Sequence, residues 1–480
     1  MENAITAMRA VDLRRAIGAR TLSCREVMQA SLDQIERFNP IHNAITGLIA
    51  PEILLKKADA CDAMVASGAP LPLLHGFPHA LKDLTATADM VCAMGSPILR
   101  DFVPVADSIM VERMRRSGAI FIGKTNVPEF GLGSHTFNPV HGITRNAFDP
   151  RLSAGGSSGG AAVALAMRMV PLADGSDMMG SLRNPAGWNH VCGFRPSFGR
   201  VPINGSGDVY FHQLATEGPM ARNIEDLALL LSAQVGYDAR APLSLETEPA
   251  FDQPLTPADM RGKRIGWLGD LGGYLPMEAE VLAVCEAALV HFKAMGCEIA
   301  PVTPDFDMNR VWQSWIELRA FQVAASLGAF YDNPVQRPLL RVEAIYEIEA
   351  GRRLSAQDVA RASLERSIWY QELRRLFTRY DYLVLPTAQT FAFDAQWRWP
   401  KTIGGRAMDS YHRWMEVVVP ASLVGLPTLA VPAGFNSSGQ AMGLQIIGPG
   451  RMDLSVLQIG LGYQEASGFT KIHPVGLDAA

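Results

Sequence analysis

The chain has 480 residues and a formal net charge of -5, with 48% of its residues hydrophobic and 19% charged. That balance suits a globular protein with a large core and excludes disorder as the main theme. Without a long run of lysine or arginine it also excludes a phosphate-reading surface, so no nucleic-acid partner is expected.

The six cysteines, Cys24, Cys61, Cys92, Cys192, Cys285 and Cys297, are scattered and include no C-x-x-C pair, which argues against a disulfide scaffold or a zinc ribbon. The opening segment lacks the apolar core of a signal peptide. No stretch reaches the roughly 18 uncharged apolar residues of a membrane span, so a cytoplasmic chain with no membrane partner is expected.

Taken in chain order, Ser23 and Glu26 have capping-box spacing, and Val27, Leu32 and Ile35 then share one helical face. Ala119-Ile120-Phe121-Ile122, ending at Gly123, predicts a buried strand. Ala161 to Met169 predicts a helix packed on most sides. Arg264 to Leu268, Val281 to Met295 and Cys297 to Ala300 predict a strand, a helix closed by Gly296 and a second strand, which make one βαβ unit. Tyr382 to Leu385, Leu429 to Val431 and Leu444 to Ile447 predict further strands. Buried runs alternating with helices point to an α/β fold with a covered, largely parallel or mixed sheet.

The stretch from Tyr237 to Pro257, with Pro242, Pro249, Pro254 and Pro257, reads either as a domain boundary or as a surface connection. Residues 303–420 hold most of the tryptophans and read as a variable insertion around a pocket. Half or more of Trp312, Trp315, Trp397, Trp399, Tyr411 and Trp414 are expected to be ordinary packing. Some of them are expected to wall a broad apolar pocket.

The densest run of small residues is Ser153 to Gly160, followed by the Ala-rich helix. A phosphate loop would need a Gly-Lys-Ser/Thr ending that is missing. A nucleophile elbow with Ser158 would need a strand directly before it, where Asp149 to Ser153 is polar and broken by Pro150. The third reading is a catalytic platform, supported by a second small-residue run from Asp174 to Arg183 that ends a loop on Ser181. Backbone N–H groups there are placed to meet an oxyanion. A nucleophilic serine needs a base, and Lys82, beside Ala80, Leu81 and Leu84, would have its charged form disfavoured by burial. The alternative is that Lys82 simply pairs with Asp83. His75 and His79 have zinc-like spacing, but Gly76 and Pro78 break a shared helix face, so no metal is expected. Arg183 and Asp177 read as braces of the Ser181 loop.

Together, Leu81-Lys82-Asp83, the Gly155–Gly160 run and Gly175-Ser176-Asp177 through Gly180-Ser181-Leu182-Arg183 resemble the amidase-signature family. Gly123-Lys124-Thr125-Asn126, Glu129-Phe130-Gly131, Gly218-Pro219-Met220-Ala221-Arg222, Gly425-Leu426-Pro427 and Gly443 to Gly448 follow in family order. The resemblance implies an α/β amidase-signature fold, a central mixed sheet covered by helices on both faces. It also implies one domain over 1–480: N-terminal helices (1–65), signature core (66–235), variable pocket region (240–420) and a return to the core sheet (421–470).

It implies that Ser181 attacks the carbonyl, that Ser157, after a cis peptide bond, passes the proton, and that Lys82 accepts it. The backbone amides of Met178, Met179, Gly180 and Ser181 would then form the oxyanion hole. Leu132, Gly133 and Ser134 match the segment that lines the acyl pocket. Where the family has two glycines before the nucleophile, this chain has Met179-Gly180, which predicts strain if residue 179 takes positive φ.

The implied activity is hydrolysis of amides, with aryl or hydrophobic amides, carbamates and esters as candidate substrates, by a monomer or homodimer that needs no cofactor. Three rivals are a glutaminase subunit of a tRNA-dependent amidotransferase, a catalytically inactive binding homologue, and a histidine-assisted hydrolase using Ser158.

Overall fold

The computed structural model describes residues 2–203, 208–211, 213–247, 251 and 253–477. Helix α1 (Cys24–His42) begins at the expected capping box: the Ser23 hydroxyl accepts the Glu26 N–H, and the Glu26 carboxylate accepts the Ser23 N–H. Two orphan donors are thereby satisfied at once. Helix α2 (Pro51–Ser67) packs on α1.

A small sheet follows, made of β1 (Ile45–Thr46), β2 (Pro78–Lys82) and β3 (Ile120–Thr125) in the order β1-β3-β2. Strand β3 continues through Gly123 rather than ending there. A Cβ at Gly123 would stand 3.0 Å from the Thr46 carbonyl oxygen, so glycine lets β1 approach closely. Helix α3 (Gly159–Ala166) is buried on every side, as its composition predicts. It stops at Ala166 rather than Met169, because Arg168 turns into the left-handed region at φ 56°.

The main sheet contains β4 (Ala173–Asp177), β5 (Cys192–Arg195), β6 (Thr216–Ala221), β7 (Arg264–Trp267), β8 (Glu298–Pro301), β9 (Tyr382–Pro386), β10 (Thr428–Phe435) and β11 (Ala441–Ile447). Their order is β8-β7-β9-β11-β10-β5-β6-β4. Strands β8, β7 and β9 are parallel, and every other pairing is antiparallel. The sheet is therefore mixed.

Flanking helices include α4 (Arg183–Trp188), α5 (Ile224–Gln234), α6 (Ala279–Ala294), α7 (Met308–Asp332), α8 (Val342–Arg352), α9 (Ala356–Leu376) and α10 (Asp453–Ser467). Strand β7, helix α6 and strand β8 form the expected βαβ unit, with Gly296 closing the helix at φ 83°. Helix α7 packs against both α8 and α9.

The strands on either side of the proline-rich stretch, β6 and β7, belong to one and the same sheet. Arg113 fastens its start by donating to the Gln234, Gly236 and Tyr237 carbonyls, each at 2.9 Å. Pro249 lies outside the described residues. No described helix is long and apolar enough to cross a membrane.

Candidate active site

Lys82 ends β2, a strand buried along its whole length. Its backbone N–H donates to Asp174, which also accepts from His79 Nε2 at 2.9 Å, so a buried carboxylate fixes the end of the strand. The Lys82 side chain is fully buried, and its Nζ bonds Ser157 Oγ at 2.9 Å, Ser158 Oγ at 2.8 Å, Ser176 Oγ at 3.0 Å and the Ser176 carbonyl at 3.1 Å. None of these partners is Asp83, whose carboxylate instead accepts the Ala93 and Gly95 amides. The simple Lys82–Asp83 pair is thus ruled out.

Burial is the strongest influence on Lys82 and outweighs the opposing charges of Asp174, Asp177 and Glu217; it brings the ammonium down from 10.5 to about 7. Glu217 stands beside Ser176 across the β4–β6 ladder, and burial together with the Asp174 charge raises it to about 8. At neutral pH Glu217 is therefore mostly uncharged, which limits how far it can hold the lysine protonated.

The peptide bond from Gly156 to Ser157 is cis. Ser158 N–H donates to the Ser181 carbonyl at 3.3 Å and stitches the two serine loops together. The Ser181 loop is clamped by Asp177, which accepts the Gly180 N–H at 2.8 Å, the Leu182 N–H at 3.1 Å and Arg183 Nε at 3.0 Å; Arg195 adds bonds to the Asp177 carbonyl and carboxylate. Burial alone would raise Asp177, but Arg183 and Arg195 overwhelm it and hold the carboxyl well below the usual carboxylate range. Both charged residues brace the loop, as expected.

Two details of that loop bear on the oxyanion hole. Positive φ falls on Gly180 (78°) and not on Met179, so the methionine is not forced into the left-handed region. A Cβ at Gly180 would also lie 2.7 Å from Val418. Secondly, the Gly180 amide is committed to Asp177, so it is not a free donor to an oxyanion. Among the described residues, no acceptor takes the Met179 or Ser181 amide.

Ser157 and Ser181 open on one cavity of about 230 Å³, together with Leu132, Gly133, Ser134, Met178 and Met179. Leu84, Met94, Phe130, Val323, Leu327 and Met415 supply most of its apolar wall. Ser134 Oγ is buried and has no hydrogen-bond partner among the described residues. Ser158, by contrast, is fully buried, is absent from the cavity wall and bonds lysine rather than histidine. That removes the elbow reading.

The aromatic residues of the 303–420 region do not wall the cavity. Trp414 stacks on Trp188, Trp312 packs edge-on against His412, Trp315 is buried in the core, and Trp397 is exposed. Flexible methionine and leucine line the pocket instead. His75 bonds the Cys61 carbonyl and His79 bonds Asp174, so the two do not converge as metal ligands.

Composition alone did not reveal the roles of Asp174, Ser176 and Glu217. Asp174 and Ser176 sit inside the Asp174–Arg183 run, and the period of two along a strand would have placed Ser176 and Asp174 on one face.

The family model for amidases matches residues 26–457 of the chain. This chain is an amidase-signature protein. An acylamidase of Rhodococcus erythropolis is 31% identical over 462 residues, covering 95% of this amidase and 94% of the relative. A glutamyl-tRNA(Gln) amidotransferase subunit of Cyanothece sp. (strain PCC 7425 / ATCC 29141) is also 31% identical, over 490 residues, covering 96% and 98%. A bacterial aryl acylamidase of the amidase-signature family superposes with a TM-score of 0.90 at 28% identity, covering 97% of each chain. The amidase hydrolyses carbon–nitrogen bonds of small amide substrates.

Proposed function

We propose that the chain is a stand-alone amidase for neutral, largely apolar amides, aryl amides among them, with carbamates as a second substrate class, and that it works through an acyl-enzyme on Ser181. The observation that carries this reading is the fully buried Lys82 amine bonded to Ser157, with Ser157 and Ser181 facing one apolar cavity.

Neutral Lys82 takes a proton from Ser157 while Ser157 takes one from Ser181, whose Oγ attacks the carbonyl carbon. The developing oxyanion is met by the amides of Met178, Met179 and Ser181; preorganised donors of this kind are often the largest catalytic contribution. As the C–N bond breaks, the same relay returns the proton to the leaving nitrogen, and water then releases the acyl group by the reverse path. The tight register of the Ser181 loop, clamped by Asp177, keeps these donors in place without a metal ion or organic cofactor having to orient the carbonyl.

The cavity favours this reading over a glutaminase subunit. Glutamine carries a free ammonium and a free carboxylate, and desolvating both needs charged partners. The one charged side chain among the described lining residues is Arg319, which is already paired with Glu347.

A panel of apolar anilides, phenyl carbamates and L-glutamine tests the reading. The anilides are expected to be turned over with kcat/KM at least ~10²-fold above that for glutamine, since each of its two charged groups left without a partner costs at least about 1–3 kcal/mol. Equal or faster turnover of glutamine would overturn it.

A further inference from the structure

Helix α7 presents Arg319, Gln322, Val323, Ser326 and Leu327 to the cavity at helical spacing, facing the serine loops. Arg319 is almost wholly buried. Its Nε donates to Glu347 Oε1 of α8 at 2.7 Å and its Nη2 to the Tyr411 hydroxyl at 2.8 Å, while the Tyr411 hydroxyl donates to the same Glu347 oxygen at 2.6 Å. Among the described residues the remaining nitrogen, Nη1, meets only the Met178 thioether sulfur, at 3.2 Å, and Met178 itself lines the cavity. A guanidinium has five N–H donors, and a thioether is a weak acceptor. A buried, charged donor is thus aimed at the cavity wall with a poor partner.

The charge of the cluster says what kind of partner suits it. Glu347 balances Arg319 and is kept a carboxylate: burial would raise it, but the Arg319 charge and the hydrogen bonds from Tyr411 and Arg319 pull it down. Burial raises the Tyr411 phenol, which stays protonated, and brings His412 down to about 4, so it stays neutral. The cluster as a whole carries no net charge. An incoming carboxylate would leave a surplus negative charge in an apolar cavity, whereas a neutral oxygen would accept the N–H at little desolvation cost.

We propose that Arg319 is a specificity-determining residue whose Nη1 N–H binds a neutral carbonyl oxygen of the substrate other than the one attacked. The preferred substrates are then apolar amides that carry a second, uncharged carbonyl group. This rests on the reading that the Ser181 cavity hydrolyses apolar amides.

The test uses two sets of matched anilides in which the extra group is insulated from the scissile bond. On the acyl side these are 4-oxopentananilide, 4-methylpentananilide and succinanilate. On the amine side they are acetanilides bearing 4-(2-oxopropyl), 4-isobutyl or 4-carboxymethyl groups. Wild-type enzyme is expected to prefer the ketone over the alkyl member of at least one set by about tenfold or more, the scale of a hydrogen bond to a charged group, with the carboxylate poorest.

The double variant Arg319→Met, Glu347→Gln removes the donor without stranding a buried carboxylate. It is expected to lose the ketone preference about 10- to 100-fold through KM, with kcat on the alkyl anilides held within about threefold. Alkyl anilides hydrolysed by the wild type with no ketone preference in either set would overturn the assignment while leaving the parent reading intact, whereas preference for the carboxylate would overturn both. Equal losses on ketone and alkyl substrates in the folded double variant would show a merely structural role and overturn it as well. Failure of the wild type on every anilide would remove the parent reading and this one together. The wild-type preference is read independently of whether the variant folds.

Discussion

The wall that carries Ser157 and Ser181, with Lys82 behind it at the end of β2, is built from loops clamped through their backbone amides, whereas the facing wall, on α7, is built from side chains held by other side chains. On the first wall, Asp177 alone binds two amides and two arginines, and the Ser158 amide ties one serine loop to the other. On the second, Arg319 depends on Glu347 and Tyr411, two residues from other elements. The difference separates two jobs. A proton relay tolerates little displacement, because a shift of about 1 Å can cost ~10²-fold in rate, and backbone clamps hold such geometry firmly. A substrate wall can change through its side chains, replaced together where they are paired, without disturbing the relay.

The sharpest way to break this division is at Lys82. The variant Lys82→Met is expected to lower kcat/KM by about 10³- to 10⁴-fold, since it removes both the base and the later proton donor. In the wild type, kcat/KM is expected to rise with pH and level off above about 7, where Lys82 is neutral. The sign for stability is the same. Between about 7 and 10.5 the unfolded chain holds the Lys82 proton and the folded chain does not, so folding stability gains with pH in that window. Urea melts at several pH values should show a shallower rise in the Lys82→Met protein.

A smaller effect should follow from loosening the clamp. Asp177→Asn leaves Arg183 and Arg195 buried without their carboxylate, and breaking a buried pair in this way costs about 3–5 kcal/mol. Denaturant melts measure the loss. Activity should fall with stability because asparagine keeps only one acceptor oxygen, so the Gly180 or the Leu182 amide then meets an NH2 group instead.

The smallest effect is expected on the far side of the molecule's aromatic region. Trp397 is 56% exposed and away from the cavity, so Trp397→Ala should change stability by no more than about 0.5 kcal/mol and leave kcat/KM unchanged. A large loss of activity would return the tryptophans to the pocket wall.

The same two regions explain what could be read in advance. Ser157 and Ser181 stand in glycine-rich runs and Lys82 in a short apolar one, in an order visible in the chain, and the Ser23–Glu26 box, the βαβ unit and the strands of residues 382–447 follow local patterns. Such signals span only a few residues. Arg319, Glu347 and Tyr411 carry no local pattern at all, because they meet only after α7, α8 and the 411 segment pack together. The tryptophans misled for a related reason: a large apolar ring is as well suited to a core as to a pocket, and here the core took most of them. Gly123 misled as a strand end because its close approach to Thr46 is a tertiary fact.

The central claim is that Ser181 is the residue acylated. Treating the folded protein with a serine-directed fluorophosphonate and locating the adduct by peptide mass spectrometry tests it directly, with Ser181→Ala and Ser158→Ala proteins alongside. The account predicts a single adduct on Ser181 that persists in Ser158→Ala and vanishes in Ser181→Ala. An adduct on Ser158 or Ser157, or no adduct on folded wild-type protein, would contradict it.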